Sequence, residues 1–311
     1  MIRYRVRHET VYQYSDQVVT SHNDLHLMPR RLPHQQLAQL QLRLEPSPDT
    51  VKWQQDYFGN DMVFFALEEP HERLVIRTDS LLDLHPLDLP EAERSRPWEE
   101  VVTEVHEARS PEAREAFEYV FASPFIQLDE ALAAYARPSF PAGRPLAAGV
   151  LDLCHRIHAD FRYDPEATTL ETPLSEVLEE RHGVCQDFAH VMIGALRSLG
   201  LPARYVSGYL RTRREHDAEE PDPEPEEELV GSEASHAWVA AWCPELGWIE
   251  ADPTNDLVPR DRHIVLAWGR DYDDVSPVKG VTLGGGAHEV SVSVRVRPVP
   301  VEAQAGAAGD G

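Results

Sequence analysis

The sequence predicts an α+β protein: a small N-terminal β-sandwich, then a core in which helices pack on an antiparallel sheet. Two observations carry this. Up to residue 85 apolar side chains recur at a two-residue period. From residue 146 they recur at helical spacing, and strand-like runs return after residue 203. With 311 residues, 42% of them apolar, the chain has room for two domains that each bury a core. The expected divisions are a β-domain over 1–85, a helical connector over 86–145, the core over 146–297 and a disordered tail over 298–311.

In the first division Ile2, Tyr4 and Val6 alternate with arginines, and Ala38, Leu40, Leu42 and Leu44 alternate with Gln39, Gln41 and Arg43, as in half-buried strands. Apolar runs at 62–67 and 74–76 follow, the first of them preceded by a Gly59-Asn60 turn. The connector carries helical stretches at 111–121 and 128–137. From 146 one apolar stripe collects Ala147, Val150, Leu151, Cys154, Ile157 and His158. A second helix is expected to start at Thr172-Pro173 and stop at Gly183. A third follows at once, with Phe188, Val191, Met192, Ala195, Leu196 and Leu199 on its apolar face and Gly200 at its end. Strands are then expected at 203–210, 236–242, 247–252 and 290–296, the last alternating valines with Ser and Arg.

Composition narrows the function classes. A net charge of −25 argues against nucleic acid or an anionic membrane surface as the main partner. No apolar run reaches the length of a membrane span, and MIRYRVRHET has no apolar signal core. Three sparse cysteines, Cys154, Cys185 and Cys243, are the usage of a reducing compartment, so a cytoplasmic location is expected.

The chemistry gathers around Cys185. In GVCQDFAH it falls on the first turn of the third helix, where unsatisfied N–H groups and the helix dipole favour a thiolate. SHAWVAAW (235–242) and GWIEADPT (247–254) read as a hairpin joined by 243–246. If Trp242 opposes Trp248, then 240 opposes 250 and 238 opposes 252. His236 and Asp252 become neighbours on one face, close enough for a carboxylate to bond the imidazole. Nucleophile, base and orienting acid make the general form of an activated-thiol site. The Cys185 N–H can meet oxyanion charge; spacing identifies no second donor.

GVCQDFAH, SHAW and EADPTN, in that order, resemble the core of the transglutaminase-like superfamily. GLPARYVSGYL, GRDYDDVSPVKG and DYFGN resemble its bacterial members. The resemblance implies a papain-like fold, a Cys185–His236–Asp252 triad, amide or peptide bond chemistry through a thioester, and a peptide or protein substrate. Family members act as hydrolases and as amine transferases. Hydrolysis is the expectation here, because no segment reads as an amine site, a calcium loop or a removable N-terminal piece. A transglutaminase is the first alternative, and a non-catalytic peptide-binding module the second, although that class predicts a broken triad. Trp238, on the His236 face, and Tyr163 are assigned to the substrate pocket. No cofactor or metal is expected, and the oligomeric state is left open.

The remaining features read as structural. Cys154, His155 and His158 do not complete a metal set. His190 is expected to be a packed histidine. Asp187 supports the helix start, where its charge suits the dipole. Arg270 and Asp271 are expected to pair. The run over 215–228, acidic and punctuated by proline, reads as a solvated loop that tunes access of cationic substrates.

Overall fold

The structure is a computed structural model that describes residues 1–88, 91–107, 110–211, 229–231 and 234–300. The expected loop at 215–228 and most of the expected tail lie outside these. One strand organises the N-terminal domain: β1 (Ile2–Leu25) buries Tyr4, Val6, His8 and Thr10 and turns Arg5 and Arg7 outward. Through its first half it pairs with β5 (His71–Leu84), which in turn pairs with β2 (Gln35–Glu45). Through its second half it pairs with β4 (Asp61–Leu67), which pairs with β3 (Thr50–Gln55).

Pairing with β5 breaks between Gln13 and Val18, where the strand passes from one half to the other. Leu74 and Ile76 of β5 and Leu40, Leu42 and Leu44 of β2 share one apolar cluster with Val63, Phe65 and Leu67 of β4. The expected sandwich is thus one sheet folded over on itself. Ala38 leaves the predicted face because a bulge between Leu37 and Gln39 shifts the register, so Leu37 takes over that side.

Helices α1 (Trp98–Glu107), α2 (Pro111–Phe117) and α3 (Glu130–Ala136) form the connector. Ser110 and Asp129 cap α2 and α3 by accepting from Ala113 and Leu132 N–H. The core follows with α4 (Leu146–Asp160), α5 (Leu174–Glu180) and α6 (Cys185–Ser198). Helix α5 is shorter than predicted. Pro173 sits at its cap, outside the first turn, and Arg181, in the left-handed region at φ 56°, ends it before Gly183. Short strands β6 (Arg162–Tyr163) and β7 (His182–Gly183) pair just ahead of α6.

The second sheet has the order β10-β9-β8-β11, all antiparallel, from β8 (Ala203–Leu210), β9 (His236–Cys243), β10 (Gly247–Ala251) and β11 (His263–Gly269). Phe188, Val191, Met192, Ala195 and Leu196 of α6 join Tyr205, Val239, Ala241 and Ile264 of the sheet in one core. Tyr4, Val6, Leu82 and Leu84 extend that core into the N-terminal domain.

Strand β11 was not anticipated, and it is one of the sheet's two edges, β10 being the other. The N-terminal domain covers the β11 edge with side-chain amides. Gln35 donates to the Val265 carbonyl and accepts from its N–H, both at 2.8 Å. Asn60 does the same for Trp268, at 2.9 Å in each direction. An edge strand left bare would present unpaired backbone groups for aggregation, so DYFGN and Gln35 close it. Arg30 stacks on one face of Trp268 and Arg204 on the other, and Arg204 also lies over Trp248.

After the short helix α7 (Tyr272–Val275), the chain leaves this sheet. Strands β12 (Val278–Gly284) and β13 (His288–Val299) add to β1 in the first sheet. The predicted strand at 290–296 exists, and it pairs with β1 of the first sheet. Its alternation shows that one face is apolar without showing which sheet receives it. Pro298 and Val299, placed in the tail by the sequence, are part of β13.

Candidate active site

Cys185 is the first residue of α6. The helix start is fixed by Asp187, whose Oδ2 accepts the Val184 N–H at 2.8 Å and the Thr168 hydroxyl at 2.6 Å. Burial pushes the Asp187 carboxyl up, against the pull of these two bonds. Gly183 is required beside it, since a Cβ there would stand 2.4 Å from that same oxygen. The Cys185 side is only part-buried, whereas Cys154 and Cys243 are buried and their thiols are pushed up by that burial.

The hairpin has the anticipated register: Trp242 faces Trp248 and Ala240 faces Glu250. His236 opens β9, and Asp252 follows β10 directly, locked by backbone bonds in both directions with Leu257. His236 Nε2 donates to Asp252 Oδ2 at 2.8 Å, with both side chains fully buried. Among the described residues nothing bonds His236 Nδ1. That nitrogen is the one left for a thiol proton, and Cys185 lies close enough to act on the ring. Burial alone would push the imidazole down, but the charges of Asp252 and Cys185 prevail and raise it. Burial likewise pushes Asp252 up, and the charges and hydrogen bonds of His236 and His263 hold it far below the usual carboxylate range.

Two residues that the sequence reading passed over complete this arrangement. His263, from β11, donates to the same Asp252 Oδ2 at 3.0 Å. Asn255 donates to it at 2.9 Å, and its Oδ1 accepts the Val230 N–H at 2.8 Å. Oδ1 of Asp252 takes the N–H groups of Thr254 and Asn255. The Val230–Gly231 turn is thereby held against the imidazole, and a Cβ on Gly231 would approach Nδ1 to 2.8 Å. Asn255 stood within EADPTN and could have been found there; His263 offered only a histidine opening an apolar run.

The two assigned pocket residues differ in placement. Tyr163 is half-buried, packs edge-on against Phe188, and is near enough to Cys185 for its charge to raise the phenol, second to burial. Trp238 is fully buried, stacks on His236 and donates its indole N–H to Glu250 at 2.8 Å. It backs the imidazole from inside the sheet, and Leu32 of the N-terminal domain packs against its cluster. Asp256, four residues on from Asp252, bonds His155 at 2.7 Å instead of His236, while His158 bonds the Thr254 carbonyl. His190 is buried, pushed down to about 3 by that burial, and accepts the Tyr272 N–H. Arg270 pairs with Asp274, not Asp271, whose carboxylate takes the N–H groups of Phe125 and Asp273.

Ligand atoms of His236, Asp252 and His263 lie within 4.8 Å of one another, a spacing that a cation could bridge. Each imidazole is already hydrogen-bonded to the single oxygen between them, and a cation there would take the base away from Cys185.

A partly exposed cysteine at a helix start, a buried imidazole beside it and a buried carboxylate behind define a papain-like cysteine enzyme site. Residues 4–83 match the bacterial transglutaminase-like N-terminal region and residues 134–253 the transglutaminase-like superfamily. An uncharacterized protein of Mycobacterium tuberculosis is 38% identical over 287 residues, covering 90% of this chain and 87% of that one. An uncharacterized protein of Mycobacterium leprae is 32% identical, with 94% and 97% covered. A solved structure from Cytophaga hutchinsonii, provisionally assigned as a cysteine protease, superposes with a TM-score of 0.72 at 20% identity over 97% of this chain and 92% of that one. A protein-glutamine gamma-glutamyltransferase of Pseudomonas aeruginosa is 32% identical over 135 residues, 38% of this chain and 19% of that protein. The chain belongs to the transglutaminase-like superfamily.

Proposed function

We propose that this protein is a cysteine hydrolase of amide or peptide bonds, acting on peptide or protein substrates. The observation that carries the reading is the division of labour on His236. Its Nε2–H is committed to Asp252, and its Nδ1, which no other described group bonds, lies beside Cys185 on a ring raised enough to hold the thiol's proton. With the thiol's proton held on Nδ1, the Cys185 sulfur attacks the carbonyl as a thiolate, and the oxyanion is met by the Cys185 N–H. The proton then passes to the leaving amine as the C–N bond breaks, leaving a thioester on Cys185. Water attacks next, giving its proton to Nδ1, and the acid and the free thiol are released.

Water is favoured as acceptor because it reaches the thioester at bulk concentration without a binding site, whereas a dilute amine must be held and oriented there. Three free cysteines support a reducing, cytoplasmic setting. No helix among the described residues is long and apolar enough to cross a membrane. Amine transfer is the second reading, favoured by the stretch shared with the Pseudomonas glutamyltransferase. Incubating the protein with acyl-donor peptides and a labelled primary amine, with products resolved by mass, separates the two. Hydrolysis should dominate at modest amine concentration; label incorporated faster than acid is formed reverses the assignment. A Cys185→Ala protein that still converts the donors removes Cys185 as the nucleophile and the thioester with it.

A further inference from the structure

His263 has no part in the triad as drawn from the sequence, yet its position is not that of an ordinary packed histidine. It is buried, and its Nε2 donates at 3.0 Å to Asp252. The choice of oxygen matters. Asp252 Oδ1 is occupied by backbone N–H groups of Thr254 and Asn255, which merely fix the carboxylate. His263 goes instead to Oδ2, the oxygen that receives His236. Two imidazoles therefore draw on one lone-pair region, and a third donor, Asn255 Nδ2, reaches the same atom. A bond made by one histidine to that oxygen weakens the other's, because the acceptor's charge is divided between them.

The support beneath His263 is rigid. It opens β11, where its residue pairs with Leu210, and two residues on the same strand is clamped at Val265 by Gln35 of the N-terminal domain. Its ring also packs edge-on against Trp238, which itself stacks on His236. The second imidazole is thus held from three directions against the acid of the triad.

We propose that His263 is a positioning residue of this active site, sharing the Asp252 carboxylate with His236 and thereby setting how strongly His236 holds the Cys185 proton. The inference rests on the triad reading, and the test keeps the two apart. Iodoacetamide labelling of Cys185 is followed by mass spectrometry as a function of pH on the full chain. His236→Ala is the control: if its labelling rate equals that of the wild type, the triad reading falls.

With that control behaving, His263→Phe, which fills the space without a donor, leaves Oδ2 to His236, strengthens its hold on the thiol proton and should shift the midpoint of the labelling profile downward by about half a unit or more. His263→Gln, whose amide can stand in for Nε2–H, should return it to the wild-type position. A folded His263→Phe protein with an unchanged profile overturns the proposal and leaves the triad intact. Should the phenylalanine variant not fold, the wild type itself decides. Ring-proton NMR should show His263 signals moving at the pH where His236 titrates, because the two share an acceptor. His263 signals that stay still through that transition overturn it equally.

Discussion

Oδ2 of Asp252 meets three donors and Oδ1 two, so beside its part in the proposed triad the residue ties the surrounding structure together. From the triad alone one expects Asp252→Asn to leave the fold untouched; the structure changes that expectation. An amide at 252 turns an N–H₂ toward groups that are themselves donors, and a buried mismatch of this kind costs about 1–3 kcal/mol. Turnover on an acyl-donor peptide should drop by a factor on the order of a thousand or more, as the wrong tautomer is held, and the urea midpoint should drop with it. Near-wild-type turnover would remove Asp252 from the triad. Gly231 makes a second test, because its φ of 84° and its closeness to His236 Nδ1 both require glycine. Gly231→Ala should slow Cys185 labelling on the order of tenfold to a hundredfold by displacing the imidazole. An unchanged rate would show that the turn yields without disturbing the base.

Secondary-structure elements show why some of the site was legible and some was not. The His236–Asp252 pair could be read because both residues lie on one hairpin, whose short loop fixes the register and whose period of two fixes the faces. Cys185 could be read from its place between Gly183 and the apolar face of α6. His263 and the edge clamps could not. Gln35 and Asn60 pair with backbone far away in sequence, and an amide that imitates a strand leaves no periodic trace. Strand β12 escaped notice because it buries almost nothing, and the sheet that receives β13 could not be read because alternation carries no address. The clamps supply a prediction at this scale. Gln35→Ala leaves the Val265 N–H without its partner, while the carbonyl keeps the Arg30 N–H at 3.1 Å, and should cost about 1–3 kcal/mol in urea unfolding. Because β11 carries His263, labelling of Cys185 should slow as well. A stability loss with unaltered labelling would confine Gln35 to covering the edge.

For the molecule as a whole, buried histidines set the response to acid. His8 joins the two domains: its Nδ1 bonds the Tyr209 hydroxyl at 2.9 Å and its Nε2 the Thr10 hydroxyl at 2.7 Å. Burial pushes it down to about 4, and burial pushes His190, inside α6, down to about 3. Both folded values lie below the unfolded one near 6.5, so between them the unfolded chain binds more protons. Stability must therefore fall as pH drops from 6.5 toward 4, by a few kcal/mol in all. Asp252, whose folded value is depressed, adds to the loss only once the pH nears the ordinary carboxylate range. His236 has the opposite sign: its contribution is complete below 6.5 and fades as pH climbs through its raised value, so it leaves the acid limb alone. The net charge of −25 works against the histidines, since protonating surface carboxylates relieves repulsion. High salt screens that repulsion and leaves the buried terms exposed. In urea titrations at high salt, the wild-type midpoint should fall steadily between pH 6.5 and about 4. The double variant His8→Gln, His190→Gln, which keeps a hydrogen-bonding amide at both places and titrates at neither, should start lower and stay flat. A double variant as acid-sensitive as the wild type would mean that groups other than the two buried histidines govern the acid limb.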